Sequence, residues 1–432
     1  MATLRREDAS ATLVNLSMLL YMVWLLLPAV QTTLRAVTGV VTVGLFGAGA
    51  LLDAGARKSH LVWLVPRVLL CVLLPLALFF LLERGGGNLP AYLVQQGMFW
   101  FPLLWSAYAR KRGDARCYRL VAPLLLTLLT ITTLTTLGWL IQGLLRGDKV
   151  YAYARSLGSG AEGNEAYLKE LMGRNIGGYD FIYASVLLLP VVFYMAAQAS
   201  GMRRAGFASL YVLQLCMIGL SQYTYAILMA AALTAVMLLG ALLRLVFRRL
   251  STGTSMLWSL LFIAGLWLFR MPLLAWASQT MAAIGFANAH YSLEQLRNLL
   301  SGGAVDAGSR LATYTLPLSG IAASPLFGSM LGGQTYLGMH SDLLDLLSGL
   351  GLIGTAAFAL AAWFIGRGAA KGARRLQAAP YLVLQGITLL ACLTLGTVFY
   401  SREIPLVICL TYALFLQKTN PTPMQPLSVA NK

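Results

Sequence analysis

Charge is scarce in this sequence. Asp, Glu, Lys and Arg make up 11% of the 432 residues, against about 25% in an ordinary soluble protein, and that shortage excludes a string of soluble domains. Acidic residues are scarcest, 15 against 32 basic ones, which leaves a formal charge of +17. In a soluble chain that excess would point to nucleic acid. Here aromatics do not interleave with the basic residues, and a cationic cytoplasmic face is ordinary for an inner-membrane protein, so nucleic acid is not an expected partner. The five cysteines, Cys71, Cys117, Cys216, Cys392 and Cys409, show no metal-ligand spacing, which argues against a disulfide framework and against a zinc or iron–sulfur site. Also missing are Walker A, G-x-G-x-x-G, H-E-x-x-H and D-x-D patterns. Nucleotide hydrolysis, dinucleotide binding and a metal-bound nucleotide-sugar site therefore lack their usual supports, and neither a cofactor nor a metal is expected.

What is present is apolar. Hydrophobic residues make up 58% of the chain and mean hydropathy is +0.73. Apolar runs of roughly 20 residues, the length that crosses a bilayer as a helix, recur from end to end. The sequence predicts an all-α polytopic integral membrane protein, one transmembrane domain over residues 1–432, with about twelve spans. Arg5 and Arg6 precede the first run and no small-residue cleavage site follows it, which reads as an uncleaved anchor. Further spans are expected near 34–52, 61–82, 89–109, 120–142, 179–200, 205–220, 222–244, 255–276, 342–365, 379–399 and 404–417.

Charge tests this topology, because short cytoplasmic connections carry the excess of Lys and Arg. Arg57 with Lys58, the group Arg110, Lys111, Arg112, Arg116 and Arg119, then Arg203 with Arg204, Arg244 with Arg248 and Arg249, and finally Arg367, Lys371, Arg374 and Arg375 all fall on one side. Both termini are then cytoplasmic, with a polar tail over 419–432. Most acidic residues fall outside. The assignment is most sensitive at 205–244, where two short spans pivot at Ser221-Gln222; one long tilted helix there would invert everything downstream.

Two outer segments are long, 143–178 and 277–341, and loops of that length usually carry function or are disordered. Within the second, Tyr291 to Leu300 (YSLEQLRNLL) has the spacing of a short amphipathic helix that lies on a membrane surface. Ionisable residues deep in the spans are few, Asp53 and Arg67 lying near cytoplasmic ends and Arg270 near an outer end. A proton-driven transporter would normally place Asp, Glu or His at mid-membrane.

The ionisable groups that remain gather near the outer face: Arg270, His290, Arg297, Arg310, His340, Asp342, Asp345 and Arg402. Two of the chain's three histidines belong to the second outer loop. The stretch GSRLATYTLPLSGIAASPLFGSMLGG, followed from Leu337 by LGMHSDLLDLLSGLGLIG, combines a Ser-Arg pair opening a helical run, a Pro/Gly turn, a flexible glycine pair and a histidine just ahead of an apolar helix.

In that order and position, an Arg-aromatic helix with Arg310 and Tyr314, then P-L-F-G, a Gly-rich loop, His-Ser-Asp, D-L-L and G-L-I-G, the chain resembles the O-antigen polymerase and O-antigen ligase superfamily of lipid-linked glycosyltransferases. The likeness covers Gly308 to Gly354; elsewhere it extends to general layout, many spans with a large outer loop before the late helices. The resemblance implies a GT-C-like fold in the bacterial inner membrane with a periplasmic active site. It implies a reaction that joins a sugar hydroxyl to the anomeric carbon of a glycan held on undecaprenyl pyrophosphate, without a metal. It also implies lipid-linked oligosaccharides as donor and acceptor and a chain-length-regulating co-polymerase as a partner. By resemblance, Arg310 takes the place of the family's pyrophosphate-contacting arginine and His340 that of its essential histidine.

The residues themselves fit those roles. A lipid pyrophosphate leaving group can be stabilised by arginine alone through charge-assisted, bidentate hydrogen bonds. Imidazole exchanges protons near neutral pH, so His340 can act as general base, and the start of a helix attracts phosphate oxygens. The alternatives are a loop histidine bonded to backbone and, for Arg310, an interfacial arginine that snorkels. Asp342 and Asp345 share a helical face, where one orients His340 or an acceptor sugar, or else Ser341 or Asp342 is the N-cap and the acids simply occupy the first turn. Arg270 and Arg402 are expected to converge on the pyrophosphate, and Tyr314 to contact substrate. In the earlier loop Tyr151, Tyr153, Arg155, Lys169 and Arg174 are candidate sugar contacts. One departure is Ser221-Gln222-Tyr223-Thr224, where members of the superfamily often carry an arginine; either another arginine such as Arg270 supplies that charge or the acceptor differs. Three functions follow in order: a polymerase acting on a second lipid-linked repeat unit with inversion, a ligase transferring glycan to lipid A-core, and a transporter for lipid-linked oligosaccharide.

Overall fold

A computed structural model describes residues 2–52, 101–102, 104–106, 109, 115–146, 165–301, 312–329, 340–375, 378–396 and 403–419. Among them all regular structure is helical. The helices, in chain order, are α1 (Ala2–Leu26), α2 (Pro28–Leu52), α3 (Ala115–Leu145), α4 (Glu165–Gly173), α5 (Tyr179–Gln198), α6 (Gly201–Leu220), α7 (Thr224–Val246), α8 (Thr252–Leu266), α9 (Arg270–Ala283), α10 (Ala287–Leu300), α11 (Ala312–Ala323), α12 (Asp342–Arg375), α13 (Ala379–Leu395) and α14 (Glu403–Thr419).

Five of them hold a stretch long and apolar enough to cross a membrane: Ala9–Leu26, Leu120–Leu145, Tyr179–Gln198, Thr224–Val246 and Asp342–Leu360. The chain is thus a helical protein with several candidate spans, while a count near twelve is not reached among the described residues. The expected spans at 61–82 and most of 89–109 lie outside those residues. α13 and α14 are 17 residues each, about 26 Å at the helical rise and short of a 30 Å hydrocarbon core. The stretch expected as one span over 255–276 is instead α8 and α9, bent by 85° at the 3-10 turn Trp267–Phe269. The pivot at Ser221-Gln222 is as expected: α6 and α7 are separate helices, with Gln222 in the left-handed region at φ 57°.

α5 is the post of the bundle. Every residue from Phe181 to Val192 is buried, the all-round burial of a helix enclosed by others. α6, α7, α13 and α14 pack against it. Polar groups join these helices where water is absent: Gln385 Nε2 on α13 donates to the Leu187 carbonyl of α5 at 3.0 Å and to Thr411 Oγ1 of α14 at 3.0 Å. α1 and α2 meet through small residues, Ser10 Oγ donating to the Gly49 carbonyl at 2.6 Å, where a Cβ on Gly49 would strike the Val14 side chain. Such close small-residue contact is the usual way apolar helices associate.

α3 uses its threonine-rich stretch as a staple. Thr135 Oγ1 donates to the Asn175 carbonyl at 2.7 Å, Asn175 Nδ2 donates to Thr132 Oγ1 at 3.2 Å, and the Gly177 N–H donates to Thr136 Oγ1 at 2.8 Å. The turn that leads out of the first long loop into α5 is held there.

Candidate functional site

The head of α12 is built by Ser341. Its side chain is buried and its Oγ accepts the Leu344 N–H at 3.3 Å, while the Ser341 carbonyl accepts the Asp345 N–H at 2.9 Å. That is an N-cap with its first intrahelical bond. Asp342 and Asp345 occupy the first turn, at the positive end of the helix dipole. Asp342 is buried and its N–H donates to the Gly396 carbonyl at 3.2 Å, tying α12 to the end of α13. His340, half-buried, immediately precedes the cap.

Below this junction lies an aromatic platform that the sequence did not reveal. Gly396 sits so close to Tyr179 that a Cβ there would be 2.8 Å from the tyrosine hydroxyl oxygen. The Tyr179 ring is 4.5 Å from that of Tyr183 and 5.3 Å, edge-on at 88°, from that of Tyr223. Tyr223 arrives on the α6–α7 turn. Three tyrosines from two distant segments thus meet near Gly396, which the first residue of α12 bonds. Each lies near the end of an apolar helix, where it reads as an ordinary core or interfacial aromatic, so only the tertiary contact distinguishes them.

The P-L-F-G turn and the G-L-G-L-I-G stretch form one unit. α12 is broken at Gly351, which has φ 65° and ψ −175°. The Leu352 N–H donates to the Pro325 carbonyl at 2.9 Å and the Ile353 N–H to the Leu326 carbonyl at 3.1 Å. On the other side of the break the Ser348 carbonyl accepts the Ser329 N–H at 2.8 Å and Ser329 Oγ at 3.0 Å. The turn after α11 therefore supplies partners that the interrupted helix lacks, as backbone in an apolar medium requires. Gly328, at φ 76°, and Gly351 face each other: a Cβ on Gly328 would lie 2.0 Å from the Gly349 carbonyl oxygen, and one on Gly351 2.3 Å from that of Leu326. The break lies nine residues below Asp342, about 14 Å along the axis. Tyr314 rides on α11, which packs against α12.

Arg270 stands elsewhere, half-buried at the start of α9, whose main partner is α10. α10 extends the expected amphipathic helix by one turn at its start, and the hairpin is closed by a polar network. Ser278, fully buried, donates from Oγ to Glu294 Oε1 at 2.6 Å and lies 2.8 Å from His290 Nδ1. Nδ1 is also 3.1 Å from the Ser278 carbonyl oxygen, and Arg297 Nη1 donates to Glu294 Oε1 at 3.0 Å. With the serine proton committed to Glu294, the geometry assigns the ring hydrogen of neutral His290 to Nδ1, leaving Nε2 an acceptor. His290 and Arg297 are thus partners in one network: Arg297 meets Glu294 at i,i+3 along α10, whereas His290 is held by Ser278 of α9, which spacing within α10 does not show.

In the segment expected as the first outer loop, Arg174 is engaged, 2.6 Å from Glu170 Oε1 and 4.8 Å over the Trp139 ring, while Lys169 is exposed. Arg310, Arg402, Tyr151, Tyr153 and Arg155 lie outside the described residues. Among the described residues no group of three or more His, Cys, Asp and Glu side chains is placed to hold a metal ion. The structure thus brings together His340, Asp342, Asp345, Gly396 and the tyrosine platform at one end of the bundle. The polymerase and ligase likeness finds no counterpart in the comparisons: no known protein family, no curated protein and no solved structure matches the chain.

Proposed function

We propose that the protein is a membrane-embedded glycosyltransferase that moves a growing glycan from undecaprenyl pyrophosphate to the non-reducing end sugar of a second lipid-linked repeat unit, at the outer face of the bacterial inner membrane. The observation that carries this reading is the junction of His340 and the α12 N-terminus with Gly396 and the Tyr179, Tyr183 and Tyr223 platform. Tyrosine faces suit sugar rings, a helix N-terminus suits phosphate oxygens, and a histidine just ahead of that N-terminus suits a hydroxyl that must lose a proton.

In the proposed step the acceptor hydroxyl attacks the anomeric carbon and gives its proton to His340. The bond from that carbon to the pyrophosphate oxygen breaks, and undecaprenyl pyrophosphate leaves as an anion. Arg310 and Arg402 are assigned to that anion, with Arg270 the more remote candidate because it starts the α9–α10 hairpin. Direct displacement inverts the anomeric configuration. Asp342 acts through the junction with Gly396, and Asp345 through the acceptor or His340. Both termini are cytoplasmic in this reading, and a co-polymerase sets chain length.

The ligase reading differs in acceptor alone. The break in α12 gives a transporter some standing, since discontinuous helices line many transport sites. Against that, the freed groups at Ser348, Leu352 and Ile353 are bonded to the neighbouring turn, and Leu326, Phe327, Leu352 and Ile353 are exposed apolar side chains, which suits lipid contact better than an aqueous path.

The test is the surface-glycan profile of the host after deletion of the gene, with wild-type and His340→Ala copies returned separately. Core bearing a single repeat unit marks lost polymerisation, and bare core marks a ligase. Restoration of a full ladder by the His340→Ala copy would remove His340 from the mechanism.

A further inference from the structure

At the end of the bundle opposite His340, α6 and α7 are splayed and a cavity of about 760 Å³ opens between them. Its walls are apolar, and its space comes from small residues, including Ala208 on α6 and Gly240 and Ala241 on α7. A second hollow of about 400 Å³ continues along the same two helices, sharing Leu215, Thr234 and Leu238 and reaching Ile227. The mouth is different. Arg204, Arg244 and Arg248 line it, all exposed, and among the described residues none of them makes an ion pair or hydrogen bond. Thr252, the first residue of α8, lines it as well, and adds the positive end of a helix dipole.

Three cations without counter-ions among the described residues, at the rim of a long apolar groove, call for an anion with a hydrocarbon tail. The depth fits one leaflet: from Arg244 to Thr234 is ten residues of α7, about 15 Å, half of a 30 Å hydrocarbon core. Basic pockets between membrane helices bind anionic lipid headgroups in this way. We propose that this groove is a binding site for an anionic glycerophospholipid of the leaflet on the arginine side. Its phosphate sits among Arg204, Arg244 and Arg248, and an acyl chain runs between α6 and α7 past Leu215 and Leu238. The bound lipid fills the space between the splayed helices and braces α7, whose far end carries Tyr223 to the platform. The site stands independently of the reaction at the other end.

The experiment is native mass spectrometry of the full chain with phosphatidylglycerol and phosphatidylcholine of identical acyl chains, on wild type, the triple variant R204Q/R244Q/R248Q, the pair R203Q/R249Q, and Ala241→Trp. Arg203 and Arg249 neighbour the cluster in sequence but do not line the cavity. Wild type is expected to retain phosphatidylglycerol at least about ten-fold better than phosphatidylcholine. The triple variant should lose that preference, the R203Q/R249Q pair should keep it, and Ala241→Trp should lose the lipid with the arginines intact. Equal retention of both lipids by wild type, or equal loss in the triple variant and the R203Q/R249Q pair, would overturn the site. Inorganic phosphate displacing the lipid completely at millimolar concentration would mark a bare anion site, and tighter retention of a polyprenyl phosphate would mark a different occupant; either result overturns the assignment. All substituted arginines are exposed, so these variants fold, and they decide the matter if Ala241→Trp does not.

Discussion

Replacing Gly351 by alanine should loosen the unit that supports the head of α12. Gly351 holds φ 65° and ψ −175°, a region essentially restricted to glycine that costs other residues about 1–3 kcal/mol. The new methyl would also meet the Leu326 carbonyl oxygen at 2.3 Å and the Gly328 nitrogen at 2.5 Å, both backbone atoms that no rotamer change can move. Relief requires the Pro325–Gly328 turn to withdraw, which removes the partners of the Leu352 and Ile353 N–H groups, about 1 kcal/mol each. The sum is roughly 3–5 kcal/mol, or a fall in melting temperature of roughly 3–6 °C for a chain of this size. The assay is thermal unfolding of purified protein in nanodiscs at a fixed scan rate, followed by intrinsic fluorescence. Gly386→Ala is the control, because nothing lies within 4 Å of its Cβ position; it should be neutral or stabilising by about 0.5–1 kcal/mol. A Gly351→Ala protein melting within about 1 °C of wild type would refute the interlock.

Further predictions concern the bases, the polar joints and the metal. His340→Gln should abolish glycan transfer while His290→Gln, which removes a partner of Ser278, should lower thermal stability more than activity; the opposite pattern in transfer assays would move the base to the α9–α10 hairpin. Gln385→Leu, nearly equal in volume, should cost about 1 kcal/mol through the lost bonds to Leu187 and Thr411, read as a lowered melting temperature with activity retained. Asn175→Ala should cost about 1–2 kcal/mol, because it loses the bonds to Thr132 and Thr135 and places alanine at φ 61°. Transfer should survive EDTA; activity lost and then restored by a divalent ion would contradict a pyrophosphate handled by arginine alone.

Where a signal is local, the sequence carries it. Ser341 followed by two acids and an apolar run announces the start of α12, and the period of YSLEQLRNLL announces α10, though the helix begins at Ala287. The pivot at Ser221-Gln222 was legible because two apolar runs flank a polar pair. The 85° bend at Trp267–Phe269 was not, since hydropathy continues through it and registers composition rather than direction. The break at Gly351 needs its complement: a glycine in an apolar helix is commonplace, and only the Pro325–Ser329 turn, more than twenty residues earlier, makes it obligatory. Tyr179, Tyr183 and Tyr223 come together through the packing of α5 against α7, and the bond from Asp342 to Gly396 joins the start of α12 to the end of α13, positions 54 residues apart that periodicity within either helix does not connect. Ser278 and Glu294 lie on different helices, so spacing along α10 could not show that His290 is held. Half of the site was thus readable as a motif, and the half that depends on the tertiary fold was not.

The most direct measurement is the reaction itself. Purified protein in nanodiscs is supplied with an undecaprenyl-pyrophosphate-linked repeat unit, and the products are resolved by size and by NMR of the new linkage. The expected products are a ladder of polymerised repeats with inverted configuration at each new anomeric carbon and released undecaprenyl pyrophosphate, with no ladder from His340→Ala. A full ladder from His340→Ala, or retained configuration with a sugar trapped on the protein, would contradict the proposed mechanism.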